Sequence, residues 1–126
     1  PLYIYAAVQD DAKKTALEAL GATVIHLPDT QGKVDLAAML RDLGTRQINE
    51  LHVEAGAKLN GSLLRAGLVD EFLVYLAPKL IGAGRGMADF GPLAALSEAT
   101  PLSFESTTLV GPDLRILARI PGRDAF

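Results

Sequence analysis

The sequence predicts an α/β domain, a mostly parallel sheet flanked by helices with a C-terminal antiparallel hairpin. Three observations carry this. Apolar strand-like runs alternate with helix-like runs from Leu2 to Ala77, and the resulting order β-α-β-α-β-α-β calls for parallel strands joined by right-handed crossovers. Aspartates stand before the first two helical runs and glycines after all three, as helix starts and stops require. Two β-prone runs then flank Gly111-Pro112-Asp113, which is a hairpin pattern.

Taken in order, residues 2–8 (LYIYAAV) form a first strand, apolar enough to be central. Asp10 or Asp11 caps a helix over residues 12–20, and Gly21 stops it. Residues 23–27 make a second strand and residues 28–33 a polar loop. Asp35 caps the next helix, in which Leu36, Leu40 and Leu43 recur on one face, and Gly44 is placed to end it. A third strand contains Leu51 and Val53 alternating with His52 and Glu54. The turn Glu54-Ala55-Gly56-Ala57 has almost no side-chain bulk, and the helix after it aligns Leu59, Leu63 and Leu64 before Gly67 ends it. Residues 71–77 read as a strand buried on both faces. Residues 82–91 (GAGRGMADFG) form a glycine-rich loop, and residues 93–96 allow a turn of helix. Strands at 102–110 and 114–120 follow, joined by a turn in which Pro112 at the second position suits type I. The tail from Pro121 to Phe126 is expected to fray.

The totals narrow the function. A length of 126 residues, 49% of them apolar, predicts one ordered domain with a real core. A net charge of -3 and the lack of any basic run argue against nucleic acid or an anionic membrane surface as the main partner. No apolar stretch reaches the roughly 20 residues of a membrane helix. Without cysteine there is no disulfide framework and no thiolate metal site, which fits a cytoplasmic protein. The chain opens on Pro1-Leu2-Tyr3, without initiator Met, signal peptide or polar lead-in, and is expected to be a piece of something longer.

The stretch from Leu51 to Gly67 carries the clearest chemistry. The first N–H groups of a helix have no partner within it, and the helix dipole makes that end partly positive. With Gly56 and small neighbours in the turn, a phosphate or pyrophosphate can approach the backbone. Glu54, at the end of the expected strand, stands where ligands are met in such folds. The same residues also fit a plain tight connection with a solvated strand end. The loop at 82–91 is either a mobile connection or a lid whose Arg85 meets phosphate; its glycine spacing is not the dinucleotide fingerprint. His26 and His52 are the only histidines and lack a metal-ligand spacing. His52 shares a face with Glu54, as a ligand neighbour or as a structural histidine. Ser62 has no base at a suggestive spacing and no G-x-S-x-G elbow or Walker motif occurs, so hydrolase and P-loop chemistry are disfavoured. Asp70 and Glu71 read as a solvated pair at a sheet edge, and Lys79 as a phosphate partner or a surface lysine.

A longer pattern adds to this. The run Val53-Glu54-Ala55-Gly56, Leu59, Gly61, Leu64 and Ala66-Gly67-Leu68-Val69-Asp70-Glu71, followed by Tyr75, Ala77-Pro78-Lys79-Leu80 and Gly82, closely resembles the reductase domain of the bacterial bifunctional riboflavin-biosynthesis deaminase/reductase family. Arg85-Gly86 and Val110-Gly111-Pro112-Asp113 extend the resemblance, and weaker likeness runs upstream through residues 17–21 and 34–36. The resemblance implies a dihydrofolate-reductase-like fold. It implies NADPH-dependent reduction of 5-amino-6-(5-phosphoribosylamino)uracil to the ribitylamino product, by hydride delivery to C1 of the opened ribose. It further implies that Glu54 contacts substrate and that Gly56, Ala57, Lys58, Leu59, Asn60, Gly61 and Ser62 hold the NADP phosphates. Ala55 stands where many members have glycine, which removes freedom at positive φ. In that family the catalytic residues and further cofactor contacts lie in an N-terminal half, and zinc is confined to the deaminase domain. Neither precedes Pro1 here, so this chain is expected to be the C-terminal part of the reductase domain and inactive alone.

Sheet edges left raw in such a piece are expected to pair with a second copy, giving a homodimer or higher oligomer. Other functions stay open on the residues alone. They are a non-catalytic nucleotide- or phosphate-binding module, a structural or dimerisation domain of a larger enzyme, and a reductase acting on another pteridine- or folate-type substrate.

Overall fold

The structure, a computed structural model, describes residues 1–123. The chain divides into two compact units, Pro1–His52 and Val53–Phe126, where the length predicts one domain. Asp124, Ala125 and Phe126, the end of the tail expected to fray, lie outside the described residues. The tail before them is tied down, because Arg123 Nη1 donates to the Asp70 carboxylate at 2.9 Å.

The first unit is a β-α-β piece followed by a second helix. Strand β1 (Leu2–Ala6) pairs in parallel with β2 (Ala22–His26), Leu2 opposite Ala22 and Ala6 opposite His26. Helix α1 (Asp11–Glu18) connects them and starts on Asp10, whose carboxylate accepts from the Lys13 amide at 2.9 Å. Gly21 sits at φ +88°, which a side chain would resist, and so turns the chain into β2. His26 is a structural histidine: its Nε2 lies 3.0 Å from the Ala7 carbonyl. The polar loop after β2 is tightened by Asp29, which accepts from the Gln31 and Lys33 amides at 2.8 and 2.7 Å.

Helix α2 (Leu36–Thr45) begins on Asp35, which accepts from the Ala38 amide at 2.8 Å. It does not end at Gly44 as the sequence suggests. The chain stays helical through Thr45 and reverses at Gln47, φ +65°. Ile48 N–H bonds Leu43 O at 3.1 Å and Gln47 N–H bonds Gly44 O at 3.0 Å, so two carbonyls that the helix leaves open are met one residue group later. Tyr5 on β1 donates to Asp42 on α2 at 2.7 Å, and the Arg46 guanidinium bonds the same carboxylate at 2.7 Å while lying 4.6 Å from the Tyr3 ring centre. This cluster fastens α2 to β1. The buried apolar residues of the unit are Ala22 and Leu43.

The second unit contains helix α3 (Ala57–Arg65) and a sheet ordered β3-β5-β4, with β3 at Glu71–Leu76, β4 at Ser103–Val110 and β5 at Asp113–Arg119. Leu63 and Ala118 are its buried apolar residues. Helix α3 ends as the sequence indicates, with Gly67 at φ +65° and Leu68 N–H on Leu63 O at 2.9 Å. The C-terminal hairpin is present. Val110 pairs with Asp113, so the loop is the two residues Gly111 and Pro112, and Gly111 takes φ +60°. That is the primed-turn geometry matching strand twist, rather than the expected type I turn. The short helical turn forms at Leu96–Glu98, slightly later than expected.

Three further expectations are corrected. Strand β3 pairs antiparallel with β5, Glu71 opposite Arg119 and Leu76 opposite Leu114, so only β1 and β2 are parallel among the described residues. Nor is β3 buried on both faces: Phe72 and Val74 are half-buried, whereas Leu73 and Tyr75 are exposed. An edge strand of an antiparallel sheet has one face to bury, and its apolar run reflects the exposed face as well. The strand expected around Leu51 and Val53 is absent among the described residues, where 48–56 run as irregular chain. The alternation is real, but among the described residues neither sheet includes this segment, and extended chain outside a ladder is not a strand.

Candidate functional site

The turn and helix that the sequence singles out are in place, and their start is open. Asp10 and Asp35 cap α1 and α2, but α3 starts on Gly56, which has no side chain to cap it. The Leu59 and Asn60 amides both bond the Gly56 carbonyl, at 3.1 and 3.2 Å. Among the described residues the amides of Ala57 and Lys58 have no acceptor. These two N–H groups sit at the positive end of the helix dipole.

Gly56 is a glycine that the protein itself does not require. Its φ of -77° and ψ of 165° suit any residue, and a Cβ there would meet nothing within 4 Å. Serine or aspartate at this position would cap the helix and add about 0.5–2 kcal/mol relative to alanine. The sequence leaves the space clear instead.

Gly61 is the opposite case. It is buried, and a Cβ on it would fall on the backbone of Asp89. Asp89 N–H bonds the Ala57 carbonyl at 2.8 Å, and Arg65 Nη1 donates to the Asp89 carbonyl at 3.0 Å. Asn60 Nδ2 donates to Met87 O at 2.8 Å and to Ala55 O at 3.3 Å. The end of the glycine loop therefore lies along the first turns of α3. The plain mobile connection considered for residues 82–91 is corrected for this end, which is pinned by backbone and side-chain bonds. Arg85, two residues before Met87, is exposed.

The remaining residues singled out by sequence fall as follows. Glu54, Lys58 and Leu59 are exposed, and Ala55 and Ala57 half-buried. His52 is exposed. The Ser62 hydroxyl donates to Lys58 O at 2.9 Å and accepts from Arg65 Nη2 at 3.2 Å. Lys79 is exposed and lines a shallow apolar groove with Leu76, Leu80, Leu109 and Leu114. Asp70 and Glu71 are both ion-paired, to Arg123 and Arg119 at 2.9 Å each, rather than merely solvated. Among the described residues no group of three or more His, Asp or Glu side chains is arranged to hold a metal, and no helix is long and apolar enough to cross a membrane. What sequence reasoning missed is the brace formed by Arg65, Met87 and Asp89. Its only signal is Gly61 inside a helix, where glycine is costly without a packing reason.

A family model of the RibD C-terminal domain matches residues 2–116. The riboflavin biosynthesis protein RibD of Escherichia coli (strain K12) is 40% identical over 111 residues, which are 87% of this chain and 29% of that protein. The 5-amino-6-(5-phosphoribosylamino)uracil reductase of Buchnera aphidicola subsp. Acyrthosiphon pisum is 31% identical over 96 residues, 75% of this chain and 46% of that protein. Among solved structures, Acinetobacter baumannii RibD, form 2, shares the fold with a TM-score of 0.78 at 23% identity, over 93% of this chain and 30% of that one. This chain thus spans less than half the length of each of these relatives. With the model match reaching over most of its length, the chain belongs to the RibD C-terminal domain family.

Proposed function

We propose that this chain is the C-terminal portion of a dihydrofolate-reductase-like domain that reduces 5-amino-6-(5-phosphoribosylamino)uracil to its ribitylamino product with NADPH, in the cytoplasm. Relatives named for that reductase step and for riboflavin biosynthesis support the reaction class. The observation that carries the site is Gly56, a residue whose missing side chain serves neither backbone nor packing and leaves two helix-opening amides accessible. The residues present fit a dinucleotide's phosphates. The Ala57 and Lys58 amides are donors without acceptors among the described residues, Lys58 adds charge, and Gly56 lets the oxygens come close.

When bound, NADPH supplies a hydride to C1 of the opened ribose. The chain's own share is binding and orientation. The amides of Ala57 and Lys58 fix the phosphates, and Leu59 offers apolar surface beside them. Asn60, Gly61 and Ser62 keep the helix start in shape from within. Glu54, exposed at the mouth of the same turn, faces the substrate. Binding energy spent in this way is what sets a hydride donor against its acceptor. A homodimer completes the reading. The edge strands β3 and β4 expose Leu73, Tyr75, Phe104 and Leu109, the kind of apolar surface that a second copy covers.

The test is binding of NADPH, followed by its own fluorescence, to the wild-type chain and to Gly56→Val. Valine at φ -77° keeps an allowed backbone but fills the space in front of the amides. At least roughly tenfold weaker binding by the variant with an unchanged melting curve is expected, since phosphate docking relies on close backbone approach. Equal binding by both would remove α3 as the docking point.

A further inference from the structure

Asn60 is the fourth residue of α3, and its side chain points away from the helix's own ladder. Its Nδ2 reaches two carbonyl oxygens, Met87 O at 2.8 Å and Ala55 O at 3.3 Å. Carbonyls only accept, so the NH2 end of the carboxamide must face them, and both of its hydrogens are used. The two carbonyls belong to different pieces of chain. Ala55 directly follows Glu54 and precedes Gly56. Met87 lies within the glycine loop, two residues after Arg85 and two before Asp89, which is itself bonded to Ala57.

We infer that Asn60 is a positioning residue. Its carboxamide ties the turn carrying Glu54 to the end of the glycine loop, so that the turn, the first helical turn and the loop hold one arrangement. The inference rests on the reading of the Glu54–Gly56 turn as the ligand-facing end of this unit. It adds to that reading a bond between turn and loop, made by the Asn60 carboxamide without contact to the cofactor. Without the clamp, the Ala55 and Met87 carbonyls turn to water, and the turn and loop become free to move apart. Ligand is then bound only after the turn has been re-ordered, which appears as weaker binding.

The test uses the wild-type chain, Asn60→Asp and Asn60→Ala, with NADPH as the probe. Two quantities are read by NMR: the hydrogen-exchange protection of the Asp89 amide, and the NADPH dissociation constant. Asn60→Asp keeps the shape but sets an acceptor-only carboxylate against two carbonyls at neutral pH. Both protection and affinity should fall roughly tenfold or more, since a satisfied pair is replaced by an unsatisfied one. Acidification toward about pH 4 protonates the aspartate, returns one O–H donor, and should recover part of both losses. Asn60→Ala should lose both without that recovery. Affinity lost while Asp89 protection stays at the wild-type value would mean a direct contact and overturn the inference. Wild-type behaviour of Asn60→Asp in both readouts would also overturn it. If the wild-type chain takes up no NADPH, the site reading falls and this inference with it, an outcome distinct from the other two.

Discussion

The backbone of Asp89 fills the space that a side chain on Gly61 would need, and from there its N–H reaches the Ala57 carbonyl at 2.8 Å. A glycine in the interior of α3 is thus the condition for a loop to lie on the helix. Gly61→Ala must displace that backbone. It should destabilise the unit by about 1–3 kcal/mol, as overpacking does. Urea unfolding of the wild type and the variant measures it, and a midpoint unchanged within error would refute the close approach.

Gly56 predicts a conflict between stability and binding. Gly56→Ser supplies the missing cap of α3 and should stabilise by a few tenths of a kcal/mol. The same hydroxyl occupies a helix-opening amide, so NADPH affinity should fall. Paired thermal melts and binding curves decide this. A variant that is both more stable and a better binder would be contrary to the account.

The start of each helix and the end of α3 were legible because their signals are local. Asp10 and Asp35 cap as the sequence indicates, and Gly67 ends α3. Gly44 misled because the reversal of α2 falls on Gln47, a residue that rarely adopts positive φ. The pairing of β3 with β5 was not legible, since an apolar run does not state which strand it will meet. The hairpin was, because its turn and both strands are contiguous. Of the site, the Glu54–Gly56 turn and the helix start could be read from residue size and helix physics. The role of Gly61 could not, because the group that demands it, Asp89, lies far along the chain.

The φ of +65° at Gln47 is a stored cost. A left-handed non-glycine residue costs about 1–2 kcal/mol; glycine removes that cost, and the extra entropy it gives the unfolded chain offsets part of the gain. Gln47→Gly should therefore stabilise the first unit by about 0.5–1 kcal/mol. Differential scanning calorimetry checks this; a lowered melting temperature would count against the left-handed turn.

The cluster on α2 predicts how stability changes with pH. The Arg46 guanidinium, and then the Tyr5 hydroxyl, hold the Asp42 carboxyl below its ordinary range. A depressed carboxyl stabilises fully above its unfolded value of about 3.8, and the contribution is lost as pH falls through the lower folded value. Tyr5 is shifted the other way, pushed up by burial and then by the Asp42 carboxylate. Its contribution is full below about 10 and is lost as pH rises through the folded value. Asp42→Asn should flatten the acid limb of the stability curve, and Tyr5→Phe the alkaline limb. Unfolding free energies across pH for both variants test this, and wild-type slopes retained in either would contradict it.

The most direct measurement is a ¹H–¹⁵N titration of the chain with NADPH. The Ala57 and Lys58 amides are expected to move first and furthest, with Gly56 and Asn60 following, and inorganic pyrophosphate should move the same amides. Saturating NADPH that leaves Ala57 and Lys58 unshifted would contradict the central claim that the start of α3 is a phosphate dock.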